Sequence, residues 1–220
     1  MRRLQGVLIA VLLAVAAPVR AEAPRTVNWE NLVPAAAPLE NPLSHLPWEQ
    51  QAEIEFLTAI RDMYAQGAIN KVDYRYEEGL EITYKLEKLG LDVDGLVAKF
   101  RAVQREIRRR NSAVVGDLNG KLIRMPGYAL PLEFNDTVVT EFLLVPYVGA
   151  CIHVPPPPAN QTVYVQLNQS YRAKNLYEPV WVTGRLKIEA TNKSLTYVDG
   201  SAPVASGYSL EGVKIEPYKP

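Results

Sequence analysis

The residues of this chain best suited to chemistry lie in one stretch, Gly149-Ala150-Cys151-Ile152-His153-Val154, followed by Pro155 to Pro158, Ala159, Asn160 and Gln161. It holds the only cysteine and one of the two histidines among 220 residues. In an extended strand, residues two apart project to the same face, which sets a thiol beside an imidazole. Four consecutive prolines then impose polyproline II geometry, either a rigid lip for that pair or a rigid connection between strands. Three chemistries stay open. Thiolate and imidazole are ligands for zinc or copper. The other histidine, His45, lies far away in the N-terminal leader, so a metal would need carboxylates such as Glu133 or Glu141, waters or groups from a partner. As a nucleophile, Cys151 would use His153 as base, with Asn160 or Gln161 as the orienting amide. In the third reading Cys151 is a small buried hydrophobe and His153 a hydrogen-bonded structural residue. No Gly-x-Ser-x-Gly elbow, His-Glu-x-x-His pair or phosphate loop accompanies them. That counts against a common hydrolase and favours a non-enzymatic role. Tyr147 joins Asn160 and Gln161 as a candidate ligand contact.

The compartment follows from the first residues. Arg2 and Arg3 precede an apolar run over 7–17, and Val19-Arg20-Ala21 offers a cleavage site, so residues 1–21 are expected to be a cleaved export signal. The run is too short to span a bilayer, and no later segment is long and apolar enough. The expected destination is a bacterial periplasm. After cleavage, 21 basic residues face 24 acidic ones, a net charge of −3. There is no basic excess to drive nucleic-acid binding. A lone cysteine also excludes an internal disulfide.

The elements that must position the Cys-His pair fall into two parts. Residues 22–47, with Pro24, Pro34, Pro38, Pro42 and Pro47, read as an extended leader anchored by Trp29 and Leu32. Residues 48–111 read as helical. A first helix starts near Pro47 and carries Ile54, Leu57, Ile60 and Tyr64 on one stripe; a second spans about 73–89. A third starts near Asp92 and spaces Leu96, Phe100, Val103 and Ile107 by four, three and four. Lys99, Arg101, Arg105, Arg108, Arg109 and Arg110 crowd that third helix, either as a solvated face complementing the helix dipole or as an attractor of acidic headgroups. Residues 112–220 read as β: short runs at 121–125, 138–145, 151–154, 162–167, 180–189, 195–198 and 208–215, separated by Gly, Pro and Asn. Gly184 in the middle of a run predicts a bulge. Tyr128, Phe142, Tyr147 and Trp181 are either core or the lining of a groove. The expected fold is α+β: an N-terminal helical part packed on a small C-terminal β-barrel of the oligonucleotide/oligosaccharide-binding type, with a sandwich as the alternative.

Several runs carry a family resemblance. They are Trp29-Glu30-Asn31-Leu32-Val33-Pro34, Pro126-Gly127-Tyr128-Ala129-Leu130-Pro131-Leu132-Glu133, Thr140-Glu141-Phe142-Leu143-Leu144-Val145-Pro146-Tyr147 and the stretch from Gly149 to Gln161. Together they resemble a secreted bacterial family, domain of unknown function 3299. The family has no established activity. Some members are encoded beside ATP-binding-cassette transporter components linked to metal handling. The resemblance therefore implies an exported binding or accessory protein, metal-linked and serving an envelope transporter, and identifies no ligand; the residues themselves offer Cys151, His153 and Glu133 as the candidate ligands and zinc as the candidate metal. The alternatives are a thiol-dependent enzyme and an interaction protein with a buried Cys-His pair.

Overall fold

The computed structural model describes residues 22–132, 138–149, 156–172, 177–197 and 200–218. It is a mixed α+β chain: three helices packed with a closed five-stranded β-barrel. The element order is β1 (Arg25–Thr26), a 3-10 turn (Trp29–Leu32), α1 (Trp48–Ala65), α2 (Tyr74–Lys88), α3 (Val93–Ser112), a second 3-10 turn (Gly116–Leu118), β2 (Leu122–Pro131), β3 (Val138–Val145), a third 3-10 turn (Ala159–Gln161), β4 (Val163–Arg172), β5 (Glu178–Tyr197) and β6 (Gly200–Pro217).

The helices begin where the sequence supplies caps. Asp73 accepts a hydrogen bond from Arg75 N at 3.0 Å and Asp92 one from Gly95 N at 3.0 Å, satisfying backbone donors that the helix cannot. Pro47 is the cap of α1 itself, one position earlier than the first helical turn, and its carbonyl accepts from Gln51 N. Ile54 and Leu57 pack with Leu86, Val93, Leu96 and Val97 in a core of the helices' own. Tyr64, at the end of the expected stripe, is instead exposed and stacks on Tyr76, with ring centroids 4.8 Å apart.

The barrel closes in the order β2-β3-β4-β6-β5 and back to β2. All its pairings are antiparallel except β4 with β6, which is parallel. β3 reaches only residues 128–131 of β2, so β1 of the leader fills the space below, pairing Arg25 with Ile123 and Thr26 with Arg124. Inward-facing residues alternate along each strand. Ile123, Met125, Phe142, Leu144, Val163, Val165, Val180, Val182, Leu186, Tyr208 and Leu210 fill the lumen and are at most 1 % exposed. A small barrel filled this way is a core and leaves no room for a ligand inside.

Gly184 sits at a register irregularity between β5 and β6, as its mid-run position predicts. A Cβ there would run into the carbonyl oxygen of Glu211, so the two strands approach as closely as they do only because the residue is glycine. The largest departure from the sequence reading is in the same hairpin. Runs expected at 180–189 and 195–198 are one 20-residue strand, and the run at 208–215 is the second half of an 18-residue one. The run expected at 151–154 lies outside the described residues.

Candidate functional site

Two places on the barrel gather side chains from distant parts of the chain. The first is one end of the lumen. Trp29 and Leu32 of the first 3-10 turn pack onto the lumen core. Gly127 makes room for them: a Cβ there would come within 2.9 Å of the Trp29 ring and 2.7 Å of Leu144. Two polar side chains hold this plug, and a third fastens α3 to the barrel. The Tyr208 hydroxyl donates to Leu32 O at 2.8 Å and accepts from Val115 N at 2.6 Å. Burial, the larger influence, pushes the Tyr208 phenol up, and the Val115 bond pulls it back. Gln161 Nε2 donates to Trp29 O at 2.9 Å. Asn160 Nδ2 donates to Arg110 O and Ala113 O, at 2.7 and 2.9 Å, fastening the end of α3 to the barrel.

Asn160 and Gln161 thus sit together directly after the proline run, and their amide nitrogens hold the chain's own carbonyls. Pro158, at φ −53° and ψ 153°, keeps the polyproline II geometry up to the 3-10 turn that carries them. Tyr147 lies elsewhere, half-exposed on the turn after β3. Cys151, His153 and Glu133 lie outside the described residues. Among the described residues, no group of three or more His, Cys, Asp or Glu side chains could hold a metal ion.

The second place is the outer face of β2, β3 and β4. β5 leaves β2 after Arg185, and β6 joins β4 only at Tyr208. Residues 189–197 and 200–206 therefore project from the barrel as a two-stranded arm, with a register irregularity between Ile188 and Thr191 at its root. The arm folds back onto the barrel. Its Leu195 and Val204 join Leu130, Leu132, Leu143, Val145 and Tyr164 in an apolar cluster distinct from the lumen, with Tyr128 and Tyr177 packed at its margin. Lys193 of the arm lies 4.2 Å from the centre of the Tyr164 ring and 3.9 Å from Glu141 Oε2. Burial first, and then the hydrogen bond to Glu141, raise the Tyr164 phenol, while Lys193 opposes the shift. The root of the arm is held by Thr191 and Ser206, whose hydroxyls are 2.7 Å apart, and by Ser209 donating to Glu189 at 2.7 Å.

The four aromatic residues singled out from sequence do not converge. Phe142 is lumen core and Tyr128 belongs to the outer cluster. Tyr147 is exposed. Trp181 faces outward between Arg124, 4.2 Å from its ring centre, and Tyr218, at 5.4 Å. Sequence reasoning missed Tyr164, Lys193 and the arm. The polar stretch Glu189-Ala190-Thr191-Asn192-Lys193-Ser194 breaks hydrophobic alternation and so reads as a loop; the signal that remained was its content of threonine and the absence of Gly and Pro.

The model of the family described as "Protein of unknown function (DUF3299)" matches residues 29–217, from the Trp29 plug to the end of β6. The chain belongs to that family. The match takes in the end plug, the helices, the barrel and the arm of this DUF3299 chain. A solved structure, a DUF3299 family protein from Pseudomonas aeruginosa PAO1, is 30 % identical; the similarity covers 90 % of this chain and 97 % of that one, with a TM-score of 0.47. No curated protein matches the chain. Among the described residues, no helix is long and apolar enough to cross a membrane.

Proposed function

We propose that this chain is a non-enzymatic, exported binding protein that serves an envelope transporter and takes up its partner on the outer face of β3 and β4. The observation that carries the reading is the second apolar cluster, built on the outside of a barrel whose lumen is already full. Counted within the barrel, the strand order is first, second, third, fifth, fourth and back to first. That order supports the oligonucleotide/oligosaccharide-binding type. Barrels of that type bind through the face of their second and third strands, flanked by the loops between strands one and two and between strands four and five. In this chain the corresponding strands are β3 and β4, and the corresponding connection is the arm.

The chemistry of the face argues against nucleic acid. Leu143, Val145 and Tyr164 are apolar or aromatic, the charges beside them, Glu141 and Lys193, offset each other, and the exported chain is net acidic. An apolar face beside a displaceable strand pair suits an extended protein segment. The metal link of this reading rests on Cys151 and His153, with Glu133 as a carboxylate ligand. If zinc is held there, untagged protein purified from the periplasm carries the metal, and Cys151→Ser abolishes it.

A photo-crosslinking residue placed at position 128, on the margin of the face, tests the whole reading in living cells. The expected result is a periplasmic chain with its N-terminus at or near Glu22 and a crosslink to a transporter component that Tyr164→Ser weakens. Cytoplasmic protein still starting at Met1 overturns the reading. So does a thiol-dependent turnover lost in Cys151→Ser.

A further inference from the structure

The basic cluster of α3 divides into two classes once its partners are placed. Arg101 Nη2 pairs with Asp62 of α1 at 2.7 Å. Arg109 and Arg110 both bind Glu106, at 2.7 and 2.8 Å. Arg105 and Arg108 form no ion pair among the described residues. With Arg101 they occupy positions i, i+4 and i+7, one face of the helix. That face lines a groove between α1 and α3 of about 360 Å³, with Phe100 and Gln104 beside it and Thr58 and Gln66 across it. One donor in this wall has no acceptor: Arg101 Nε is buried and makes no hydrogen bond, although Nη2 of the same guanidinium is paired. A buried donor without an acceptor is costly and rare in a folded chain.

We infer that the α1–α3 groove is a binding site for a single phosphate group, held by Arg105 and Arg108, with Arg101 fixed beside them by Asp62. Guanidinium groups match phosphate oxygens in pairs and strengthen as neighbouring acids are removed. Two carboxylates, Glu55 and Asp62, line the same groove. Asp62 is taken up by Arg101. That leaves Arg105 and Arg108 against Glu55, a balance that suits a single phosphate group and not a polyanion such as nucleic acid. Phe100 supplies an apolar surface for the carbon atoms attached to the phosphate. Both a soluble phosphate ester and a phospholipid headgroup offer this chemistry.

The full chain is titrated calorimetrically with glycerol 3-phosphate and, separately, sedimented with phosphatidylcholine vesicles with and without phosphatidylglycerol. Saturable binding to either probe, weakened roughly tenfold or more in Arg105→Gln/Arg108→Gln and unchanged in Lys99→Gln, is the expected result. Binding to glycerol 3-phosphate identifies a soluble ester, and binding only to phosphatidylglycerol vesicles identifies a headgroup. Arg105 and Arg108 are exposed, and the double variant is expected to keep the parent's circular dichroism and melting temperature. No binding to either probe overturns the inference. Equal loss in Lys99→Gln also overturns it, because it reports net charge and not a site. The partner face on β3 and β4 lies on another element, so its crosslinking result stands or falls separately.

Discussion

The barrel carries two apolar clusters that are built differently. The lumen is closed by covalent continuity and by five strand pairings, and its end is plugged by Trp29 and Leu32, tied down by Tyr208 and Gln161. The outer cluster is closed by a strap: two aliphatic side chains, Leu195 and Val204, one lysine over a tyrosine ring, and a hairpin rooted at a register irregularity. Opening the lumen means breaking the sheet. Opening the outer face means lifting 189–197 and 200–206 and leaving every barrel pairing in place. Binding surfaces are drawn from regions that open at low cost, so the difference gives the first cluster the stabilising part and makes the second the face on which the proposed binding rests.

The strongest way to break this comparison is to damage the lumen. Phe142→Ala removes a fully buried ring and is expected to cost about 3–5 kcal/mol, read as a fall in the urea midpoint. An unchanged midpoint would mean that the lumen is not the stabilising core. Next comes the tie between the helices and the barrel. Asn160→Ala leaves the carbonyls of Arg110 and Ala113 without their donor, and a loss of about 1–3 kcal/mol is expected. A variant of full stability that loses ligand binding would return Asn160 to a direct contact role. The arm should matter least to global stability. Leu195→Ala is expected to cost no more than about 2 kcal/mol, below the usual range for a core leucine, because the arm can settle onto the face.

The smallest effect is electrostatic. Hydrogen bonds from Arg109 and Arg110 lower the Glu106 carboxyl to about 2. Its folded value lies below its ordinary value of 4.5. The stabilisation is therefore complete above about 4.5 and is lost as pH falls toward 2. The group is exposed, so the change is small. Urea midpoints at neutral and acid pH should differ slightly less in Glu106→Gln than in the parent; a larger difference in the variant would reverse the sign.

The helices were legible in the sequence because Asp73, Asp92 and the Ile54-Leu57-Ile60 stripe act locally. The barrel class was legible too, since β-rich runs punctuated by Gly and Pro follow residue 111 without interruption by helix periodicity. Gly184 announced its bulge by standing in the middle of a β-rich run, although the close approach that requires it comes from Glu211 on another strand. The arm was not legible. The arm carries small or polar residues on both faces over 189–194, which removes hydrophobic alternation, and its two apolar contacts, Leu195 and Val204, gain meaning only when the ribbon folds back on Tyr164. Asn160 and Gln161 were found as polar residues after a rigid run, but their partners, Arg110, Ala113 and Trp29, are 47 to 132 residues away. Spacing along the chain carries no information about such contacts.

Hydrogen exchange of the full-length chain, followed residue by residue, tests the separation of the two clusters most directly. The hydrogen-bonded amides of 191–197 and 200–206 should exchange through local opening, at least about tenfold faster than those of Val163, Val165, Val182 and Leu210, and Leu195→Ala should accelerate the first set alone. Arm amides that exchange only with global unfolding, at the rate of the lumen strands, would show one cooperative unit and contradict the account.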